Sequence, residues 1–442
     1  MMATILRPFT VIGLLAVLAG QANTAQAGPL MDAFNEVLTN EPSLARIETN
    51  LDRQIARRDI AQSAFKPQIN LRLNENRIEQ DTLGRTSEFD GQNYQLTASQ
   101  SLYNAEAANL VDREEALIQE SSHRLQNAQE VMALTLTERY FAVLNAKSRR
   151  QVLTTLVDNL RSRLLHADAL VRAGQMSQLE RVRIESRLAE RRSELSNIER
   201  QIRETEAALN QLSNGLDPTP TAARQNTQPK WPDLRANEAL QAHAIQNNSE
   251  LLALQQRVEA ETRGLQAVDS RRRPMLSFEL GYADSNIGSN NRQVSDTQTT
   301  IYGVTLSLPI YRGGLVSSQR DEQTALIRSA EFDYETAVRE LRRRIQTSIA
   351  TFETAKIGFD IENERVRAQQ RAVTVLADAL DQGAVSQSEY LDALDSLANA
   401  QITRDDLLFA GLNGWLAAKI DSGTFSIDDL DRIDSVLAAF ID

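Results

Sequence analysis

Carboxylates are the residues of this chain whose type and spacing could do chemistry. Glu389 and Asp392 stand three apart and share one face of a predicted helix, and Glu180 takes a matching place in the first half of the chain. Two acids on one face attract cations. A metal centre needs more ligands, and the three histidines, His123, His166 and His243, lie far apart in sequence. The chain has no cysteine, which excludes disulfides, thiolate zinc sites, thiol nucleophiles and lipid attachment through sulfur. No Gly-rich phosphate loop, Ser/His/Asp order or metal-ligand spacing rises above chance, so neither an enzyme nor a cofactor is expected.

Each candidate also has a structural role open to it. Ser177-x-x-Glu180 and Ser386-x-x-Glu389 are capping boxes that start helices, a use that competes with any chemistry at Glu180 and Glu389. Arg271, Arg272 and Arg273, just before Pro274, could meet lipid phosphates or could cap a helix C-terminus through the backbone dipole.

Long helices must position these residues. From Ala105 to Arg172 there are 68 residues without Pro or Gly, a rod of roughly 100 Å. Leu153, Val157, Leu160, Leu164, Ala167 and Val171 form a seam at 3,4 spacing. Leu195, Ile198, Ile202, Thr205, Leu209 and Leu212 form another, and Val338, Leu341 and Ile345 begin a third. Such narrow stripes need covering by antiparallel helices. Gly174 and Gly383 end the long helices.

Period-two stretches mark strands. Leu276, Phe278, Leu280 and Tyr282 alternate with polar or small residues, as do Tyr302, Val304, Leu306, Leu308 and Ile310. The first half repeats this more weakly through Ile69, Leu71 and Leu73, then Tyr94, Leu96, Ala98 and Leu102. Residues 79–91 and 284–298, rich in Asn, Ser, Asp and Gly, read as solvated hairpin loops. Tyr94, Tyr103, Tyr282, Tyr302 and Tyr311 are placed near strand ends.

The chain reads as one unit written twice. Lys66-Pro67 falls on Arg273-Pro274, Tyr103 on Tyr311, Gly174 on Gly383 and Gly215 on Gly423, at an offset of 207 to 209 residues. The expected organisation is a signal peptide at 1–27, a first repeat at 28–213 with strands about 68–80 and 91–103 and a tip near 172–180, and a Pro-rich linker at 214–233. A second repeat follows at 234–423, with strands about 275–284 and 298–311 and a tip near 381–389, then a C-terminal extension at 424–442. The leader has Arg7, an apolar run from Phe9 to Leu18 and Ala25-Gln26-Ala27 before Gly28, which is the order signal peptidase accepts. A net charge of −12 argues against nucleic acid as a partner.

Closing the sheet is a problem for one chain. Four strands leave two open edges, which hydrocarbon does not tolerate, so a membrane barrel needs several copies. Two would give eight strands and a filled interior; three would give twelve and a lumen. Asn70, Arg72, Thr97, Ser99, Ser277, Thr305 and Ser307 are the polar set that would face that lumen. A soluble sheet with one solvated face shows the same alternation.

With its duplication, its two strands per half, its coiled-coil hairpins and the tip segments Arg172 to Glu180 and Asp381 to Ala393, the mature chain resembles the TolC-type outer-membrane duct family. The resemblance implies a mainly α fold with a membrane β-barrel, built as a homotrimer in which a twelve-stranded barrel continues into an α-helical periplasmic tunnel. It implies a Gram-negative outer-membrane setting, contact with outer-membrane lipid, a periplasmic adaptor (membrane fusion) protein and an inner-membrane ABC or proton-driven pump, serving type I secretion or multidrug efflux. Glu389 and Asp392 fall where the family carries acidic rings at the pore aperture, with Glu180 near them. Adaptor docking would fall on Ala173, Gly174 and Gln175 and on Gly383, Ala384 and Val385. Val385 stands where the family has a gate arginine, so a closed-state latch must use other contacts. A periplasmic adaptor and a coiled-coil stalk are the alternatives. An adaptor would lack the duplicated strand pairs, and a stalk has no use for amphipathic strands.

Overall fold

The computed structural model describes residues 29–213, 229–234, 237–287 and 297–441. The expected signal peptide and most of the expected linker lie outside them. Helices α1 (Pro29–Asn40) and α2 (Pro42–Gln62) lead through a 3-10 turn into strands β1 (Gln68–Thr82) and β2 (Arg85–Tyr103), then α3 (Ala105–Arg172) and α4 (Gln178–Leu212). The order then recurs as α5 (Asn237–Asn247), α6 (Ser249–Ser270), β3 (Met275–Ile287), β4 (Thr297–Ser307), α7 (Leu315–Asp381) and α8 (Gln387–Asp421), with α9 (Asp428–Ile441) added. The two long helices have 68 and 67 residues and their shorter partners 35 each.

A rod of such length is covered in instalments. Near the sheet α3 packs against α6, where Asn109 Nδ2 lies 3.0 Å from Ser270 Oγ and Ser249 Oγ donates to Glu130 at 3.0 Å. Towards the far end α4 takes over: Leu153, Val157, Leu160 and Ala167 are buried against Ile184, Leu188, Ile198 and Ile202. Each of these Leu, Val and Ile side chains contributes about 1.5–3 kcal/mol on burial. Where α6 gives way to α4, the largest core fills the gap with Leu136, Tyr140 and Phe141 of α3, Trp415 of α8 and Leu30 and Phe34 of α1.

The C-terminal extension expected at 424–442 is no appendage. Its helix α9 places Leu430, Ile433, Val436 and Leu437 in that same core. The end of the expected linker is pinned as well. Trp231 meets Phe352 and Phe359 edge-on at 5.9 and 5.8 Å, in a slot beside Gly411 where an added Cβ would come within 2.6 Å of the indole. At Gly414 a Cβ would meet the α7 backbone, Phe352 N and Ser348 O, at 3.0 Å, so only glycine lets the two helices approach this closely.

The sheet runs β1-β2-β3-β4, antiparallel throughout, with β1 and β4 as its unpaired edges among the described residues. Its extent differs from the sequence expectation. Residues 79–91 are not a loop: β1 and β2 continue to a two-residue turn at Leu83 and Gly84, both at positive φ (56° and 77°). That turn matches the strand twist, and polar strand residues pair across it, Arg77 Nη2 with Glu88 at 2.7 Å. In the second hairpin, β4 stops at Ser307 although Leu308 and Ile310 keep the alternation, because Pro309 has no N–H for the ladder. Tyr94, Tyr282 and Tyr302 therefore sit within their strands, and only Tyr103 and Tyr311 lie at the helix-side end. Residues 288–296 of the other expected loop lie outside the described residues.

Candidate functional site

The register decides which strand residues share a surface. Asn70 faces Thr97, Ser99 faces Glu279, Ser277 faces Thr305, and Ser307 faces Met275, so Arg72 and the six other residues of the expected lumen set all lie on one face. Met275 and Ile301 interrupt its polarity. The opposite face is built from Ile69, Leu71, Leu73, Leu96, Leu280, Tyr302, Val304 and Leu306. In a water-soluble fold such a face would be covered, yet Ile69 is 70% and Leu306 67% exposed.

About 100 Å from the sheet, at the far ends of α3 and α7, the two hairpins turn with the same backbone. Gly174 and Gly383 adopt φ of 71° and 69°. Gln175 N donates to Leu170 O, and Ala384 N to Ala379 O, each at 2.8 Å, which closes the C-terminal carbonyls of both helices. Ala173, Gly174, Gln175, Gly383 and Ala384 are exposed and Val385 is half-buried. Nothing lies within 4 Å of a Cβ built on either glycine, so each tip projects into open space as a knob.

The two serine caps differ. Ser386 and Glu389 make the full box: Ser386 Oγ accepts from Glu389 N at 3.3 Å, and Glu389 Oε2 accepts from Ser386 N at 2.8 Å. At the other tip Ser177 Oγ accepts from Glu180 N at 3.2 Å and donates to Glu180 Oε2 at 3.4 Å. The return bond to the Ser177 backbone is absent among the described hydrogen bonds, so half of that expected box forms.

Asp392 is drawn into a set of contacts absent from the sequence reading. Arg187 of α4 reaches Asp392 at 3.1 Å and also pairs with Asp395, whose other oxygen is 3.1 Å from Arg191 Nε. Asp395 is buried while Asp392 remains 62% exposed at its side chain. Arg163 of α3 adds a bond to Gln387 at 3.3 Å and stacks 5.2 Å from the Tyr390 ring. These contacts fasten the α3–α4 hairpin to α8 beside the tips. The signal was present in the sequence as arginines four apart, 187 and 191, and acids three apart, 392 and 395, but which helices face each other is a tertiary fact.

Among the described residues no group of three or more His, Cys, Asp or Glu could hold a metal ion, and no helix is long and apolar enough to cross a membrane. His243 Nδ1 lies 3.0 Å from Ser422 O at a helix end.

Residues 33–215 and 240–407 match the model of the outer membrane efflux protein family. The chain belongs to that family. It is 24% identical over 442 residues to outer membrane protein TolC of Vibrio cholerae, covering 96% of this chain and 97% of that protein. In fold it is similar to CusC, with a TM-score of 0.80 at 16% identity over 96% of this chain and 99% of that one. It is also similar to the CmeC outer membrane channel of Campylobacter jejuni, with a TM-score of 0.76 at 14% identity over 96% and 94%. As an outer membrane efflux protein, the chain sits in the outer membrane, extends into the periplasm and serves as an exit duct for efflux and secretion systems. The family is not an enzyme family. The adaptor and stalk alternatives fall away with that membership.

Proposed function

We propose that three copies of this chain close one duct, each lending four strands to a twelve-stranded barrel and two helical hairpins to a tunnel through the periplasm. The observation that carries this is the pair of free edges, β1 and β4, on a sheet whose one face is apolar and exposed. In hydrocarbon each unpaired edge amide costs several kcal/mol, and three-fold closure removes both edges. The Asn70, Arg72, Thr97 and Ser277 face then lines water. In the same reading, residues 1–27 are an export signal, the two repeats are the duplicated halves, and the pump in the inner membrane, ABC-type or proton-driven, is met through an adaptor at the knobs around Gly174 and Gly383.

At the tunnel mouth, Glu389 and Asp392 from three copies set six carboxylates round an axis, with Glu180 beside them, a collar that concentrates cations. Arg187 and Arg191, bound to Asp392 and Asp395, take the part of the closed-state latch that Val385 cannot supply. Cross-linking of the detergent-extracted protein tests the assembly. It should saturate at three chains, and a stable monomer that keeps its strand content overturns the reading.

A further inference from the structure

The helix-side end of the sheet carries a charge pattern that neither the pore nor the docking tips use. Lys66 precedes β1, Arg271, Arg272 and Arg273 lead into β3, and Arg312 follows β4. Arg271 is consumed inside the protein: its Nε is 2.7 Å from Glu106 Oε1 and its Nη1 donates to Gln319. Arg272, Arg273 and Arg312 are exposed and make no side-chain hydrogen bond or ion pair among the described residues. The helix-capping role open to the triplet is filled by its backbone, since Arg271, Arg272 and Arg273 donate N–H to Val268, Asp269 and Ser270 carbonyls. The three guanidiniums are left over.

Their surroundings are amphipathic. Arg272 and Arg312 line one shallow cleft with Leu308, Ile310 and Tyr311, of which Ile310 is 94% and Tyr311 85% exposed. The cleft adjoins the helix-side end of β4, which the duct reading puts at the border between hydrocarbon and periplasm. The turn end of the first hairpin has the opposite character, with Glu79, Asp81, Glu88 and Asp90 outnumbering Arg77 and Arg85. Cations at one rim of a membrane sheet, set beside an open tyrosine and isoleucine, match a molecule with an anionic head and an apolar tail.

We propose that this rim seats anionic phospholipid of the periplasm-facing leaflet, with Arg272, Arg273 and Arg312 on the headgroup phosphate and Ile310 and Tyr311 against the upper acyl chain. The site rests on the duct reading, because the rim meets a leaflet only if the sheet spans the membrane. An arginine near an anionic surface is worth about a fivefold gain in affinity, so three amount to on the order of a hundredfold.

The test uses the full protein in its native assembly, extracted in non-ionic detergent and offered phosphatidylglycerol, phosphatidylcholine or inorganic phosphate, with lipid retention read by native mass spectrometry. Phosphatidylglycerol should be retained on the order of a hundredfold better than phosphatidylcholine. R272Q/R273Q/R312Q should bring the two to near parity, and inorganic phosphate should not compete at equal concentration. Equal retention of both lipids by the unaltered protein overturns the proposal, and so does displacement by inorganic phosphate, which would mark a free-anion site. If the triple variant does not assemble, a salt titration of the unaltered protein decides: the preference should shrink steeply as salt rises, and an unchanged preference overturns it. A protein that forms pores without any lipid preference refutes the rim while leaving the duct standing.

Discussion

In the proposed duct, Glu389 serves a helix end and the pore aperture together. Its Oε2 takes both bonds from Ser386, at 2.8 Å from the backbone N and 3.2 Å from Oγ, and its negative charge at a helix N-terminus is favourable by about 0.3–1 kcal/mol. Neither bond removes the charge, so the group still contributes to any field along the axis. Asp392 is bridged to Arg187 and Asp395 to both arginines, which divides the acidic cluster into an exposed and a buried member. The double variant Glu389→Gln with Asp392→Asn should lower cation preference in planar bilayers. Its cost in stability should stay near ~1 kcal/mol, because glutamine still fits the box and the bridge is exposed. Arg187→Gln keeps both acids and frees the hairpins, so it should raise conductance while cation preference persists. An unchanged permeability ratio in the double variant, with normal yield of the proposed trimer, removes Glu389 and Asp392 from the aperture.

At the scale of elements, α1 and α9 bind the two ends of the chain to the middle of the rod. Leu30 N donates to Asp434 Oδ2 at 3.1 Å. Burial pushes the Asp434 carboxyl up to about 7; the N–H groups of Leu30 and Met31 pull it down, and nearby Asp431 and Asp32 push it up. Across the contact, Tyr140 of α3 is also raised, by burial and then by Asp434. In the unfolded chain the same carboxyl titrates near ~4. Between those values the folded protein holds a proton that the unfolded chain has lost, so this contribution is full below about pH 4 and disappears as pH rises through 7. Its size is up to roughly 4 kcal/mol per chain, taking 1.36 kcal/mol per pH unit. Glu130, Asp405 and Asp421 are raised by burial too and give slopes of the same sign. Asp434→Asn should therefore flatten, without abolishing, the rise in denaturation midpoint on going from pH 8 to pH 5. A variant with the same slope as the unaltered protein would show that α9 is held by its apolar face alone.

For the whole molecule, the proposed duct makes the turn of the long first hairpin the end that faces outward. β1 and β2, at 15 and 19 residues, exceed the 9–11 residues a tilted strand needs to cross a bilayer, so their turn end projects beyond it. The acidic residues around Leu83 and Gly84 lie on that projection, and the arginines lie at the other rim. A cysteine placed at Thr86, next to the turn, should react with an impermeant thiol reagent on intact cells, and no native cysteine competes. Protection of that site in correctly localised protein contradicts the orientation.

Local rules carried the reading of helices, caps and strand faces. The long stretch without Pro or Gly before Gly174 marks α3 and its end, the 3,4 seams name side chains that are buried or half-buried, and alternation of type places Asn70, Thr97, Ser277 and Thr305 on one face. These features depend on neighbours in sequence, where backbone geometry fixes the period. Composition misleads where polarity resembles irregularity: residues 79–91 look like a loop, yet backbone pairing and a turn with two positive φ values extend both strands through them, because side chains at the projecting end need no apolar face. What lies across a gap was not legible. Arg187 meeting Asp392 and Asp395, Trp231 filling the slot at Gly411, α9 closing over α1, and three arginines without partners beside Ile310 all depend on which helix stands next to which. That choice is made by the summed burial of seams more than a hundred residues apart, a quantity no local window of sequence contains.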